Sequence, residues 1–136
     1  MSHLVYLGLG SNLGDGKANI MEAAGKIGQM IGKVARMSSI ITSKPWGFKS
    51  ENMFSNAAVC CETELGPLEV LLAAQEIERL MGRTEKTREG RYSDRIIDID
   101  ILLYDDLNID WPDLKIPHPL MRERPFVMEP LKEIIL

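Results

Sequence analysis

Arg95-Ile96-Ile97-Asp98-Ile99-Asp100-Ile101-Leu102-Leu103 is the stretch on which both the fold and the chemistry turn. It is apolar and rich in β-branched residues, and Asp105-Asp106 follows it, so residues 96–104 read as a buried strand ending in a turn. Strand period puts Asp98 and Asp100 on one face and Ile97, Ile99 and Ile101 on the other. The two aspartate Cα atoms then lie about 6–7 Å apart, two strand steps.

Upstream, residues 83–94 are polar, charged and without period, which predicts a long loop. Before that loop, Gly66-Pro67 opens a helix that runs to Met81 and is capped by Gly82. Residues 56–64 read as a strand, 43–53 as a loop carrying Trp46 and Phe48, and 34–42 as a strand. Ile20, Ala24, Ile27 and Ile31 recur at helical spacing, so 17–31 is a helix, ended by Gly32. Residues 4–9 form a first strand, and 10–16 a turn. Downstream, 107–109 and 114–116 suggest a short hairpin, 117–125 a connector and 126–136 a closing helix. The order is β-α-β-β-α-β with a small C-terminal addition. That order predicts an α+β, ferredoxin-like βαββαβ fold, with two helices on one face of an antiparallel sheet.

The chain has 136 residues and a mass of 15.3 kDa, which fits a single domain over 1–136. Its 16 basic and 20 acidic residues leave a net charge of −4, a poor match to a nucleic-acid or membrane-surface protein. Cys60 and Cys61 are strand neighbours pointing to opposite faces, so they read as reduced cysteines rather than a disulfide. No segment approaches the ~20 apolar residues needed to span a bilayer. The N-terminus reads as strand and turn rather than leader, so a cytoplasmic location is expected.

Two carboxylates this close within an apolar strand repel each other and lose solvation. A cationic partner is required, either arginine side chains or divalent metal. Mg²⁺ takes hard oxygen ligands, often one or two carboxylates with substrate phosphates. Arg83, Lys86, Arg88, Arg91 and Arg95 crowd the loop leading into the strand, and guanidinium groups suit phosphate oxygens. Glu85, Glu89 and Asp94 are interleaved, as they would be in a solvated charge run. Together the features favour phosphoryl chemistry. Gly8-Leu9-Gly10-Ser11-Asn12-Leu13-Gly14 falls short of G-x-G-x-x-G and lacks a following Gly-Lys-Ser/Thr, so it reads as a structural turn.

The segment Arg91-Tyr92-Ser93-Asp94-Arg95-Ile96-Ile97-Asp98-Ile99-Asp100 resembles the signature of the 6-hydroxymethyl-7,8-dihydropterin pyrophosphokinase family. Gly10-Ser11-Asn12-Leu13-Gly14-Asp15, Ser55-Asn56-Ala57-Ala58-Val59, Ile116-Pro117-His118-Pro119 and Arg124-Pro125-Phe126-Val127 are similar to other motifs of that family, in the same order. The resemblance covers nearly the whole chain. It implies a monomeric enzyme that transfers pyrophosphate from ATP to the hydroxymethyl group of a reduced pterin in folate synthesis, releasing AMP with the help of two Mg²⁺ ions. By the same resemblance, Asp98 and Asp100 are the metal ligands, and Arg83 and Arg95 stabilise the transferring phosphates. It implies ATP contacts from Gln75, Glu78, Arg91, Tyr92, Ile101, His118 and Arg124, and pterin contacts from Ser43, Trp46, Phe54, Asn56 and Phe126. The chain departs from the family at Ser93-Asp94, where Gly-Pro is usual, and at Lys44 and Trp46, where Pro and Leu are common. The rival readings are a kinase transferring the γ-phosphoryl group to another alcohol, and a non-catalytic ferredoxin-like binding module.

Overall fold

The structure, a computed structural model, describes residues 2–44, 53–82 and 96–135. Its centre is β1 (His3–Ser11), flanked by antiparallel β4 (Phe54–Thr63) and β5 (Asp98–Tyr104). Beyond β4 lie β2 (Lys33–Met37) and β3 (Ile41–Ser43), both paired to it. The strand order β2-β4-β1-β5 is the ferredoxin-like order expected from the element sequence.

Helix α1 (Gly16–Met30) starts where the Asp15 side chain accepts the Ala18 N–H at 3.1 Å. Helix α2 (Pro67–Leu80) starts at Gly66, whose own N–H donates to Glu69 Oε1 at 2.9 Å. Ile20 and Ile27 of α1 and Val70 and Ile77 of α2 are fully buried against Val5, Leu7 and Val59 of the sheet. Each such side chain contributes about 1.5–3 kcal/mol by leaving water. Gly32 is needed sterically, because a Cβ there would overlap the Glu62 carbonyl oxygen.

The third helix changes the expected layering. Helix α3 (Pro125–Ile134) packs on the opposite side of the sheet, where Leu131 and Ile134 cover Tyr6, Ala58, Cys60 and Leu102. The sheet is therefore sandwiched between α1 and α2 on one side and α3 on the other. Cys61 belongs to the first core and Cys60 to the second, as strand alternation requires. Burial pushes the Cys61 thiol up to about 11.

Among the departures from the sequence reading, three bear on the sheet and its hairpin. The strand expected over 34–42 is broken at residues 38–40, where Ser38 inserts its hydroxyl into the β4 ladder. Ala58 N–H donates to Ser38 Oγ at 2.8 Å, and Ser38 N–H donates to the Ala58 carbonyl at 2.9 Å. The hairpin is β6 (Ile109–Trp111) with β7 (Leu114–Ile116), two residues later on its first arm than expected. In β5 the alternation fails once. The pairing slips between Tyr6 and Leu7, so Leu103 follows Leu102 on the α3 side and Tyr104 joins Ile99 and Ile101 towards α1 and α2. The Ile116–Pro117 bond after β7 is cis. The loops expected over 43–53 and 83–94 fall largely outside the described residues.

Candidate active site

Antiparallel pairing aligns a row of side chains across the sheet. Gly10 faces Asn56 on β4 and Asp98 on β5, and Gly8 faces Ala58 and Asp100. Directly paired residues share a face. Asp98, Asp100 and Asn56 therefore lie on the α3 side, separated by glycines that add no side chain. A Cβ on Gly10 would come within 3.5 Å of Asn56 Oδ1 and 3.6 Å of Phe54 Cδ1. Two strand spacings, about 10 Å, separate the Asn56 and Asp98 backbones, with a bare floor between them.

On one side of the floor, Asn56 is buried, and its Nδ2 donates to Ser43 Oγ at 2.7 Å. Phe54 is half-buried beside it. The expected pterin contacts Ser43, Phe54 and Asn56 are thus brought together at the β3–β4 end of the sheet. Phe126 lies in the first turn of α3, half-buried. Trp46 lies outside the described residues.

On the other side, a cleft of about 330 Å³ runs along the outer edge of β5, between α2 and the hairpin. Asp98, Asp100 and Ile101 line it from β5, Gln75 and Glu78 from α2, and His118 from the connector after β7. Two of these residues also close the strand's unpaired edge. Glu78 Oε2 accepts the Ile99 N–H at 2.8 Å, and the Leu102 carbonyl accepts the His118 N–H at 3.0 Å. Glu78, only 5% exposed, thereby fixes the backbone between the two aspartates.

Burial lowers the His118 pKa from its ordinary 6.5, opposed by the nearby Asp98 carboxylate. Leu120 N–H donates to His118 Nδ1 at 3.3 Å, so the neutral ring carries its proton on Nε2. Arg124 is buried at the head of α3, and burial lowers its pKa. It does not line the β5-edge cleft. Arg83, Arg91, Tyr92 and Arg95 lie outside the described residues.

Two features were missed in the sequence reading. Lys115 of β7 lines the same cleft and pairs with Asp110 across the hairpin. Its signal was a lone cation three residues before His118, next to the Pro-His-Pro motif. The glycine floor was read as part of a turn. The i, i+2 spacing of Gly8 and Gly10 within a strand was the available clue.

With this geometry in place, the comparisons with known proteins decide the family. A sequence model described as 7,8-dihydro-6-hydroxymethylpterin-pyrophosphokinase (HPPK) matches residues 6–136. The chain belongs to this pyrophosphokinase family.

Among its relatives is the 2-amino-4-hydroxy-6-hydroxymethyldihydropteridine pyrophosphokinase of Porphyromonas gingivalis. The two are 42% identical over 132 residues, covering 96% of this chain and 90% of that protein. The Bacillus subtilis enzyme of the same name is 41% identical over 135 residues, covering 98% and 79%. Among solved structures, an HPPK-DHPS in complex with substrates superposes with a TM-score of 0.77 at 15% identity. That match covers 97% of this chain but 40% of the longer one. Plasmodium falciparum HPPK-DHPS gives 0.78 at 18% identity, covering 99% and 42%. At those identities the structural matches speak for the fold. Family membership brings the activity: pyrophosphoryl transfer from ATP to hydroxymethyldihydropterin, a step of folate synthesis.

Proposed function

We propose that this HPPK chain binds ATP in the β5-edge cleft and the pterin at the Asn56 end of the glycine floor, with the reaction between them. The observation that carries the reading is the row Asn56–Gly10–Asp98, which sets an amide and a carboxylate on one face across a floor without side chains. The Asn56 amide both donates and accepts, as the amide-like edge of a pterin requires. Phe54 and Phe126 supply aromatic surface, and the family resemblance adds Trp46 as a pterin contact.

Asp98 and Asp100 suit Mg²⁺: two hard-oxygen donors on an open cleft. Among the described residues no group of three or more His, Cys, Asp or Glu forms a complete protein cage. Substrate phosphates and water would fill the other positions of two such ions. When bound, the metal neutralises phosphate charge and aligns the groups for in-line displacement.

The pterin hydroxymethyl oxygen attacks the β-phosphorus of ATP. The new bond is O–Pβ, the broken bond joins Pβ to the oxygen bridging to the α-phosphorus, and AMP leaves with that oxygen. The hydroxyl proton is lost to solvent or to phosphate oxygen, and no side chain is assigned as base. Glu78 holds the strand bearing the two aspartates, while Gln75, Ile101 and His118 border the nucleotide. The family resemblance assigns the remaining phosphate and nucleotide contacts to Arg83, Arg91, Tyr92, Arg95 and, from outside the lining of the cleft, Arg124. Positioning supplies much of the rate. The chain acts as a cytoplasmic monomer, and a solution mass of 15.3 kDa is expected.

The test is an assay with ATP, Mg²⁺ and the reduced pterin, with nucleotide products separated. AMP formed one-for-one with pterin pyrophosphate is expected, whereas ADP would point instead to a γ-phosphoryl kinase. Asp98→Asn and Asp100→Asn should each abolish turnover while leaving the melt nearly unchanged. Near-parental turnover in either would remove the metal assignment.

A further inference from the structure

We propose that Glu133, at the far end of α3 from Phe126, is a positioning residue for pterin binding, acting through Ser39 on the register of β3. The inference rests on the assignment of Ser43 and Asn56 to the pterin side.

Strand β3 is three residues long and lies at the sheet's edge. Alone, so short a strand is not a stable unit. Its pairing sets Ile41 against Asn56 and Ser43 against Phe54, which lets Asn56 Nδ2 reach Ser43 Oγ at 2.7 Å. A slip of one residue would turn Ser43 to the other face and break that contact. The register therefore needs an anchor outside the strand.

The anchor is the break at residues 38–40. Ser38 is stitched into β4 by the bonds to Ala58 described above. The next residue turns outward to α3. Ser39 N–H donates to Glu133 Oε1 at 2.9 Å, and Ser39 Oγ lies 2.8 and 2.7 Å from the two carboxylate oxygens. These bonds hold the Glu133 carboxyl below its ordinary pKa, so it is charged at neutral pH. One serine is thus tied to the sheet and its neighbour to the helix, two residues before β3 begins. The same helix carries Phe126 at its other end, so the tether couples both sides of the proposed pterin pocket.

The experiment measures kcat and separate KM values for pterin and ATP, with thermal melts, on five proteins: parent, Glu133→Ala, Glu133→Gln, Asn56→Ala and Thr63→Val. Thr63 sits at the opposite end of β4, where its hydroxyl bonds the Ile31 carbonyl at 2.6 Å and accepts from Leu65 N–H. Thr63→Val therefore controls for a general loss of stability. Glu133→Ala should raise the pterin KM about five- to tenfold with the ATP KM within about twofold, the signature of a lost positioning contact. Glu133→Gln keeps an acceptor oxygen and should recover most of the parental pterin KM. Thr63→Val should lower the melting temperature and leave the pterin KM unchanged.

If Asn56→Ala raises the pterin KM and Glu133→Ala does not, the positioning role is wrong. It is also wrong if both KM values rise together in Glu133→Ala and in Thr63→Val, which would mark a stability contact only. An Asn56→Ala protein with parental pterin KM removes the pterin assignment itself, and the inference falls with it.

Discussion

Glu78→Ala tests whether the strand carrying Asp98 and Asp100 is held from α2. The buried carboxylate accepts the Ile99 N–H at 2.8 Å on the edge of β5 that faces away from β1. Removing it leaves that donor unsatisfied, with Ile99 itself only 7% exposed. A hydrogen bond to a charged acceptor is worth about 1.5–3 kcal/mol net, and orphaning a buried donor costs a similar amount. With about 2.1 cal/mol/K of unfolding entropy per residue over 136 residues, that loss lowers the melting temperature by about 5–10 °C. Glu78→Gln keeps a neutral acceptor of about half the strength and should lose about 2–5 °C. Calorimetry at neutral pH without nucleotide reads the shift, and hydrogen exchange at the Ile99 amide reads the tether directly. An alanine variant melting within about 1 °C of the parent, with Ile99 still protected, would refute the reasoning.

Other sites give independent tests. Gly10→Ala places its Cβ in ordinary contact with Asn56 and Phe54, at 3.5 and 3.6 Å, so the fold should tolerate it. The floor is then occupied, and the pterin KM should rise about tenfold with little change in the melt; an unchanged KM would contradict the floor. Lys115→Ala should raise the ATP KM a few-fold at low ionic strength and less at high salt, because the side chain is about half exposed. A salt-independent effect would mean the residue acts through packing. His118 has a folded pKa below its ordinary 6.5, so the unfolded chain takes up the proton first as pH falls. Its stability contribution is present above about pH 6.5 and is lost as pH falls through the lowered folded pKa. His118→Asn can still accept the Leu120 N–H and should flatten that slope; an identical slope in denaturation curves would reassign it.

Local chemistry made much of the protein legible in sequence. The helical spacing of Ile20, Ala24, Ile27 and Ile31 and the Gly66-Pro67 start needed only short-range rules, and both helices formed as read. Strand period alone put Asp98 and Asp100 on one face, because alternation is a property of the extended backbone. It failed at Leu103 and Tyr104, since a bulge depends on how the partner strand packs. The break at Ser38 was hidden for the same reason. Nothing in Ser38-Ser39-Ile40 announces that one hydroxyl will enter a ladder and the other meet a helix 94 residues away.

The order of strands and helices, the paired carboxylates and the motifs that mark the pyrophosphokinase family are legible in the chain alone. Each of these is carried by residues close in the chain. Long-range packing, by contrast, set α3 over the second face of the sheet and made Gly8 and Gly10 a floor. It also brought Glu78, Lys115 and His118 together along the free edge of β5. Those relations join residues tens of positions apart, and they follow from strand register and from where each apolar face finds its cover.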